Sequence, residues 1–183
     1  MLVFLGATLW MGVSAAEIVD RVAVVVDGKA IKQSDILSEI RVTEFLNGAK
    51  LDLSLPEQKE AASRLIDQKI IRKTMEAGLY PLPAAAEADR LLQQVRQRYS
   101  GDPAYRRGLA AYGISEEVLK KHVLWQLAVL RFIRLRFQST AAADGESGSS
   151  LDDSNQQFFA WLDESRKALR IEFKSTDLRG DAK

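Results

Sequence analysis

The sequence predicts a mainly helical fold that is closed by one small β-sheet. Residues Val22–Val26 form an apolar run that ends in Asp27-Gly28, a pair typical of a tight hairpin turn before a short return strand. Residues 169–174 alternate apolar and charged side chains, which is the pattern of a further strand. Since a two-stranded hairpin is only marginally stable in water, we expect this distant segment to pair with it. The two ends of the chain would then meet in one sheet.

Helix start and stop signals divide the intervening chain into helices. Ser54 is followed by Pro56 and Glu57, which gives a capping residue, a proline in the first turn and a reciprocal capping partner. Ser34 and Ser115 are predicted to cap two further helices. We expect helices over residues 35–47, 56–77, 84–99, 103–112, 116–137 and 156–168. The helix over residues 116–137 is apolar in nearly every direction, so it is central to the fold or offers a face to a partner.

Composition narrows the class of protein. The chain has 183 residues, of which 46% are hydrophobic, and this suits one domain with a core large enough to fold unaided. Its 26 Lys and Arg residues nearly balance its 25 Asp and Glu residues, which argues against a general nucleic-acid binder. The absence of cysteine from the sequence excludes a disulfide framework and a thiolate nucleophile.

Residues 1–16 have the pattern of a secretory signal peptide. They carry no charged side chain, are apolar through residues 2–13, and end in small residues that predict cleavage after Ala15 or Ala16. The segment lacks the Lys or Arg that usually precedes the apolar stretch, so an uncleaved N-terminal anchor is the alternative. As a helix it would be about 20–25 Å long, short of a hydrocarbon core of about 30 Å. We expect an exported protein with no stable membrane insertion after cleavage.

The chain divides into a helical body and a short C-terminal unit. Residues 17–137 form the predicted body with the N-terminal hairpin. Residues 138–155 are rich in Ser, Ala, Gly and Asp, which predicts a flexible linker. Residues 156–175 are predicted to return to the body as a helix and a strand, and residues 176–183 form a tail.

The sequence offers little catalytic chemistry. Its single histidine, His122, lies in the most apolar helix with no second His or Cys for a metal or catalytic site, so we expect a packed or surface residue. There is no Gly-rich phosphate loop and no G-x-S-x-G motif. Arg131, Arg134 and Arg136 complement the helix dipole, with a nucleic-acid or anionic-lipid patch as the alternative. We therefore predict no enzyme activity, no cofactor and no metal.

Aromatic side chains cluster around the helix breaks and the central helix. Most should belong to the core, but a subset is expected to line an apolar groove for extended or partly folded polypeptide, because Tyr and Trp give a large contact area at low entropic cost. The candidate peptide-binding residues are Tyr99, Tyr105, Leu109, Tyr112, Trp125 and Phe132.

Four segments resemble SurA-like periplasmic chaperones of the SurA N-terminal domain family. They are the stretch EIVDRVAVVVDG at residues 17–28 with Ile31 and residues 34–36, then residues 65–71, 112–119 and 159–173. Together these segments span nearly all of the chain after the predicted signal peptide, and their order and spacing match the family. The resemblance implies a multi-helix chaperone domain that the small sheet closes.

The chain departs from this family at residues 138–155. Members commonly carry one or two parvulin-type prolyl isomerase domains at that place, whose sites use histidines and a Cys or Asp, whereas this chain has only His122. The resemblance implies a periplasmic, ATP-independent holdase that binds unfolded exported or outer-membrane proteins. An envelope assembly subunit with one specific partner is the alternative, and a residual prolyl isomerase comes third. A homodimer is left open.

Overall fold

The computed structural model describes residues 20–138 and 151–179. The described chain is mainly helical and contains one three-stranded antiparallel sheet, as the sequence predicts. The predicted signal peptide and most of the predicted linker lie outside the described residues.

In the described chain the two strands of the hairpin come first, the helices follow, and the third strand comes after them. In order they are β1 (Val22–Val26), β2 (Lys29–Lys32), α1 (Gln33–Asn47), α2 (Leu55–Ala77), α3 (Ala85–Arg96), α4 (Asp102–Tyr112), α5 (Glu116–Ile133), α6 (Leu151–Lys167) and β3 (Ile171–Phe173). A π-helical turn, Arg134–Gln138, continues α5, and a 3-10 turn, Thr176–Leu178, follows β3.

The sheet joins the two ends of the chain. Its strand order is β2-β1-β3, with β1 in the centre and antiparallel to both neighbours. Val24 lies opposite Phe173 and Val26 opposite Ile171. The backbone N–H of Lys174 donates to the carbonyl of Ala23 at 2.9 Å and extends this ladder beyond β3. The predicted pairing of the distant strand with the hairpin is confirmed.

The hairpin turn has the predicted backbone conformation. Asp27 and Gly28 have φ angles of +48° and +78°. A two-residue turn with both φ angles positive matches the right-handed twist of the flanking strands, and Asp-Gly tolerates it at low cost.

The start of α1 differs from the prediction. The helix begins at Gln33, two residues before the expected Asp35, and Ser34 does not cap it. The Asp35 carboxylate accepts a hydrogen bond from the backbone N–H of Lys32 at 2.8 Å, whereas the Ser34 hydroxyl donates to Asp20. Because Asp35 already satisfies the first backbone donor, the hydroxyl of Ser34 is available for a tertiary contact.

The C-terminal unit is larger than predicted. α6 begins at Leu151, so residues 151–155, expected in the linker, are helical. Ser154 in this first turn is buried. Leu178, expected in the tail, is also buried and belongs to the core beside α2. Both departures show that the packed interior extends beyond the segments with strong sequence periodicity.

The described core has two parts that α1 connects. Ile36 and Ile40 of α1 pack with β1, α2, α5 and α6 on the side of the sheet. Val42 and Phe45, one to two turns further along α1, pack with α3, α4 and the first half of α5. The long helix α5 crosses both parts, as its apolar residues on every side predict.

Candidate functional site

An apolar groove of about 470 Å³ lies between α2, α5 and α6. We call it the α5–α6 groove. Thr43 and Gln126 are among the few uncharged polar residues that line it. Its apolar wall consists of Ile71 on α2, Trp125, Val129 and Leu130 on α5, and Phe158, Phe159 and Leu162 on α6.

Two large apolar side chains of this groove face water. Leu130 is 61% exposed and Phe159 is 60% exposed, and they project from two different helices that line the groove. Burial of either side chain against another apolar group would be favourable. A concave apolar surface with exposed side chains on both walls is typical of a binding site.

The wall formed by α6 is fixed to α2 by one arginine. The Nε atom of Arg166 donates to the Asp67 carboxylate at 2.6 Å, and its Nη2 donates to the carbonyl and hydroxyl oxygens of Ser63 at 2.9 and 2.7 Å. Burial raises the pKa of Asp67, and the nearby Asp163 adds to this, although Arg166 opposes both. The arginine therefore stabilises the charged form of a carboxylate whose pKa burial raises.

Aromatic packing fixes the inner side of α6. The ring of Trp161 lies 5.4 Å from that of Phe132 on α5 and 5.9 Å from that of Phe137 in the π-helical turn. Phe158 packs edge-on against Phe137 at 5.8 Å. Such tilted and edge-to-face pairs are favourable beyond their buried area. The inner rings hold α6 against α5 while the neighbouring Phe159 stays exposed.

A buried polar pair lies at the floor of the groove. The Nδ1 atom of His122 is 3.5 Å from a carboxylate oxygen of Glu39, and these side chains are only 10% and 8% exposed. The amide nitrogen of Gln126 lies 3.0 Å from the other ring nitrogen of His122. His122 thus lies between Gln126 and Glu39, with one ring nitrogen near each.

The environment of Glu39 favours its charged form. Burial alone would raise its pKa, but hydrogen bonds from His122 and Gln68 and the positive charge of Arg64 together hold the pKa below its usual value. The floor of the groove thus contains a carboxylate of α1 that side chains of α2 and α5 contact. The buried Nε atom of Arg64, 3.7 Å from Glu39, has no hydrogen-bond partner among the described residues, and the exposed surface of the groove is mainly apolar.

A second cavity adjoins the groove. It has a volume of about 320 Å³, lies between α1, α2 and α5, and shares Trp125 and His122 with the groove. We call it the basic cleft, since Lys69, Arg72 and Lys121 line it. The Arg72 guanidinium carbon lies 4.4 Å from the centre of the Trp125 ring.

Three of the six candidate peptide-binding residues are core residues. Tyr105, Leu109 and Phe132 are 2%, 7% and 0% exposed. Tyr105 and Leu109 belong to the core beside α3 and α4, and Phe132 packs against Tyr80 with ring centres 5.0 Å apart. In this conformation these three side chains pack inside the protein and offer no surface to a peptide.

Two further candidates lie far from the groove. The ring of Tyr99 stacks on Phe45 at 6.0 Å, and that of Tyr112 meets Phe45 edge-on at 5.5 Å. The Tyr112 hydroxyl also donates to the carbonyl of Ala49 at 2.6 Å. Both are half-buried in the second part of the core. Of the six candidates only Trp125 lines the groove.

Leu130 and Phe159 are not among the residues that the sequence predicts to bind peptide. Both belong to helices whose apolar residues were recognised, but their exposure depends on how α5 and α6 face each other. No local signal separates them, because adjacent apolar residues on a helix can both be buried, as Ile70 and Ile71 are on α2.

No protein-family model and no curated protein matches this sequence. Among the described residues, no group of three or more His, Cys, Asp or Glu side chains is placed to hold a metal ion. None of the described helices has the length and apolarity needed to cross a membrane.

Proposed function

We propose that the protein is a periplasmic, ATP-independent chaperone that binds unfolded exported polypeptides, outer-membrane proteins among them, in the α5–α6 groove. One observation carries the proposal: Leu130 on α5 and Phe159 on α6 are exposed and line the same concave apolar surface. An unfolded chain exposes apolar side chains that fit such a surface, and burial contributes about 25 cal/mol per Å² without any nucleotide.

The form of the groove supports weak and broad selectivity. Its exposed surface is mainly apolar, and the polar groups at its floor are already paired with one another. Apolar burial is non-directional, so many sequences are accepted, and the modest area makes binding reversible. A chaperone that must release its clients without an energy source needs these properties.

The sequence supports the proposed location and family. The segments quoted above resemble the SurA N-terminal domain, and residues 1–16 have the pattern of a signal peptide. We further propose that the protein has no prolyl isomerase activity, because a single histidine, paired with Glu39, does not provide the residues of a parvulin-like site.

The proposal is tested by suppression of aggregation. Several unrelated outer-membrane proteins are diluted from denaturant with the wild type, the double variant Leu130→Gln/Phe159→Gln, or the control Leu79→Gln. Leu79 is 89% exposed and lines none of the described cavities, so the control removes exposed apolar surface elsewhere. We expect the wild type and the control to suppress aggregation and the double variant to lose most of this effect.

Two results would contradict the proposal. The first is a double variant as active as the wild type, which would place binding outside the groove. The second is suppression for one client only, which would favour an assembly subunit with a specific partner. A proline-isomerisation assay with the wild type would separate both binding functions from an enzyme.

A further inference from the structure

The charged residues at the rim of the α5–α6 groove have partners within the protein. Arg64 donates to Glu60 at 2.8 Å, and Asp67 accepts from Arg166 at 2.6 Å. These side chains need no charge from a ligand.

The basic cleft differs in this respect. Lys69 and Arg72 lie one turn apart on α2 and line the same cavity, and neither forms an ion pair with any residue that the structure describes. Lys121, from α5 across the cleft, pairs only with Glu117 of its own helix, and both of these side chains are about three-quarters exposed. An exposed pair of this kind is weak and is readily exchanged for another carboxylate.

The three cations of the cleft outnumber its two carboxylates, Asp35 and Glu39. Glu39 faces His122 and Arg64, and Asp35 accepts the hydrogen bond from the backbone of Lys32 that begins α1. His122 is the remaining titratable group of the cleft, and it points to Glu39. The cleft therefore has an excess of positive charge beside an apolar groove.

We propose that the ligand of the groove is a polypeptide segment that combines apolar side chains with a carboxylate, and that Lys69, Arg72 and Lys121 bind this carboxylate. The inference rests on the proposed function and names its ligand class. Trp125 lines both cavities, so a bound segment that fills the groove continues into the cleft. Stacking on Trp125 holds the Arg72 guanidinium in position for the carboxylate.

The carboxylate has two sources in a polypeptide, an acidic side chain and the chain terminus. Four peptides with the same Phe- and Leu-rich sequence and an uncharged fluorophore distinguish them. The first has a free C-terminal carboxylate, the second is amidated, the third is amidated with one internal Glu, and the fourth is amidated with Gln at that place. Their affinities for the full chain are measured by fluorescence anisotropy at low ionic strength.

For the wild type we expect a carboxylate peptide to bind about three- to ten-fold more tightly than its neutral counterpart, the range given by two or three exposed charge contacts. The peptide pair whose affinities differ shows whether the carboxylate comes from the chain terminus or from an acidic side chain. Added salt should reduce the ratio, because exposed charges are screened. Lys69→Gln/Arg72→Gln should bring the ratio to about one while still binding the amidated peptide.

A matched control removes two other cations. Lys59 and Arg106 line none of the described cavities and form none of the described ion pairs, so Lys59→Gln/Arg106→Gln changes the net charge equally and should keep the wild-type ratio. The reversed variant Lys69→Glu/Arg72→Glu should prefer the neutral peptides. Circular dichroism verifies that each variant is folded.

The outcomes separate this inference from the proposed function. Equal affinity of the wild type for all four peptides, or a preference that persists in Lys69→Gln/Arg72→Gln, overturns the carboxylate site and leaves the apolar groove intact. If none of the four peptides binds the wild type, the proposed function and this inference are both wrong.

Discussion

Glu39 is the residue whose surroundings most clearly affect stability. It is nearly fully buried, and side chains from α2 and α5 stabilise its negative charge. A carboxyl whose pKa is lowered by folding stabilises the folded state at pH values above its unfolded pKa. That contribution is lost as the pH falls through the folded pKa. The stability of the protein should therefore decrease in mild acid partly through this one group.

Glu39→Gln should destabilise the protein by about 1–3 kcal/mol at neutral pH, because His122 and Gln68 lose a charged partner. The difference from the wild type should narrow as the pH falls through the lowered pKa of Glu39, where the wild type also loses the charge. Urea denaturation at several pH values measures both effects.

An exposed glutamate provides the control for this prediction. Glu76 is 61% exposed, and its carboxylate is 3.7 Å from the amine of Lys29. Glu76→Gln should change the free energy of unfolding by no more than about 0.5 kcal/mol. A Glu39→Gln variant whose stability followed pH as steeply as that of the wild type would show that the pair has no part in acid sensitivity.

At the scale of the element, the docking of α6 decides whether the groove exists. Arg166 makes three hydrogen bonds to α2, and one of its partners is the half-buried Asp67. Arg166→Met should destabilise the protein by about 1.5–3 kcal/mol at neutral pH, the range for hydrogen bonds to charged groups. Thermal or urea unfolding followed by circular dichroism gives this value.

The loss of stability in Arg166→Met should depend on pH in a definite direction. Without Arg166 the pKa of Asp67, already raised by burial, should rise further. Stability should then be lost as the pH rises through this value, so Arg166→Met should be less destabilised in mild acid than at neutral pH. Arg166→Met/Asp67→Asn should recover part of the loss, and Lys167→Met, whose amine is 71% exposed, should have little effect. No recovery in the double variant would mean that the arginine acts through packing alone.

The sequence predicted the strands and helices better than it predicted which side chains are exposed. Asp27-Gly28 and the alternation in residues 169–174 located all three strands, because turn chemistry and period-two patterning are local signals. Ser34 was misread as a cap, since its contact with Asp20 depends on the tertiary fold. Tyr105 and Phe132 were selected as binding residues although they are buried, because residue type alone does not tell a core ring from a surface ring.

At the scale of the whole molecule, the C-terminal strand completes the sheet. Removal of residues 169–183 takes away β3 and the buried Leu178, and it leaves a two-stranded hairpin that is marginal alone. We expect a large fall in melting temperature and loss of helical signal by circular dichroism. The control is removal of residues 180–183 only, which leaves β3 and Leu178 in place and should leave the melting temperature unchanged.

The point variant Leu178→Ala provides an independent measurement if the truncated chain fails to accumulate. A buried Leu→Ala change costs about 2–5 kcal/mol. A truncated protein that kept its helicity and melting temperature would show that the sheet does not hold the fold together.

The connection between the π-helical turn and α6 should tolerate changes in length. Shortening or lengthening the segment within residues 140–149 by a few residues should cost less than about 1 kcal/mol, since loop entropy grows only with the logarithm of length. Deletion of residues 153–155 is the contrasting change, because it removes the buried Ser154 from α6. Chemical denaturation of the variants measures both, and a large cost for the first change would show that the segment is packed.

The sheet also has a consequence for how fast the protein folds. Val24 pairs with Phe173 across most of the chain, so the native contact order is higher than that of a simple helical bundle. During synthesis β1 emerges early but stays without β3 until nearly all the helices have been made. Its unpaired edge is open to wrong partners for that time. The final kinetic step of folding should thus be the joining of the two ends, later and slower than the formation of the helices between them.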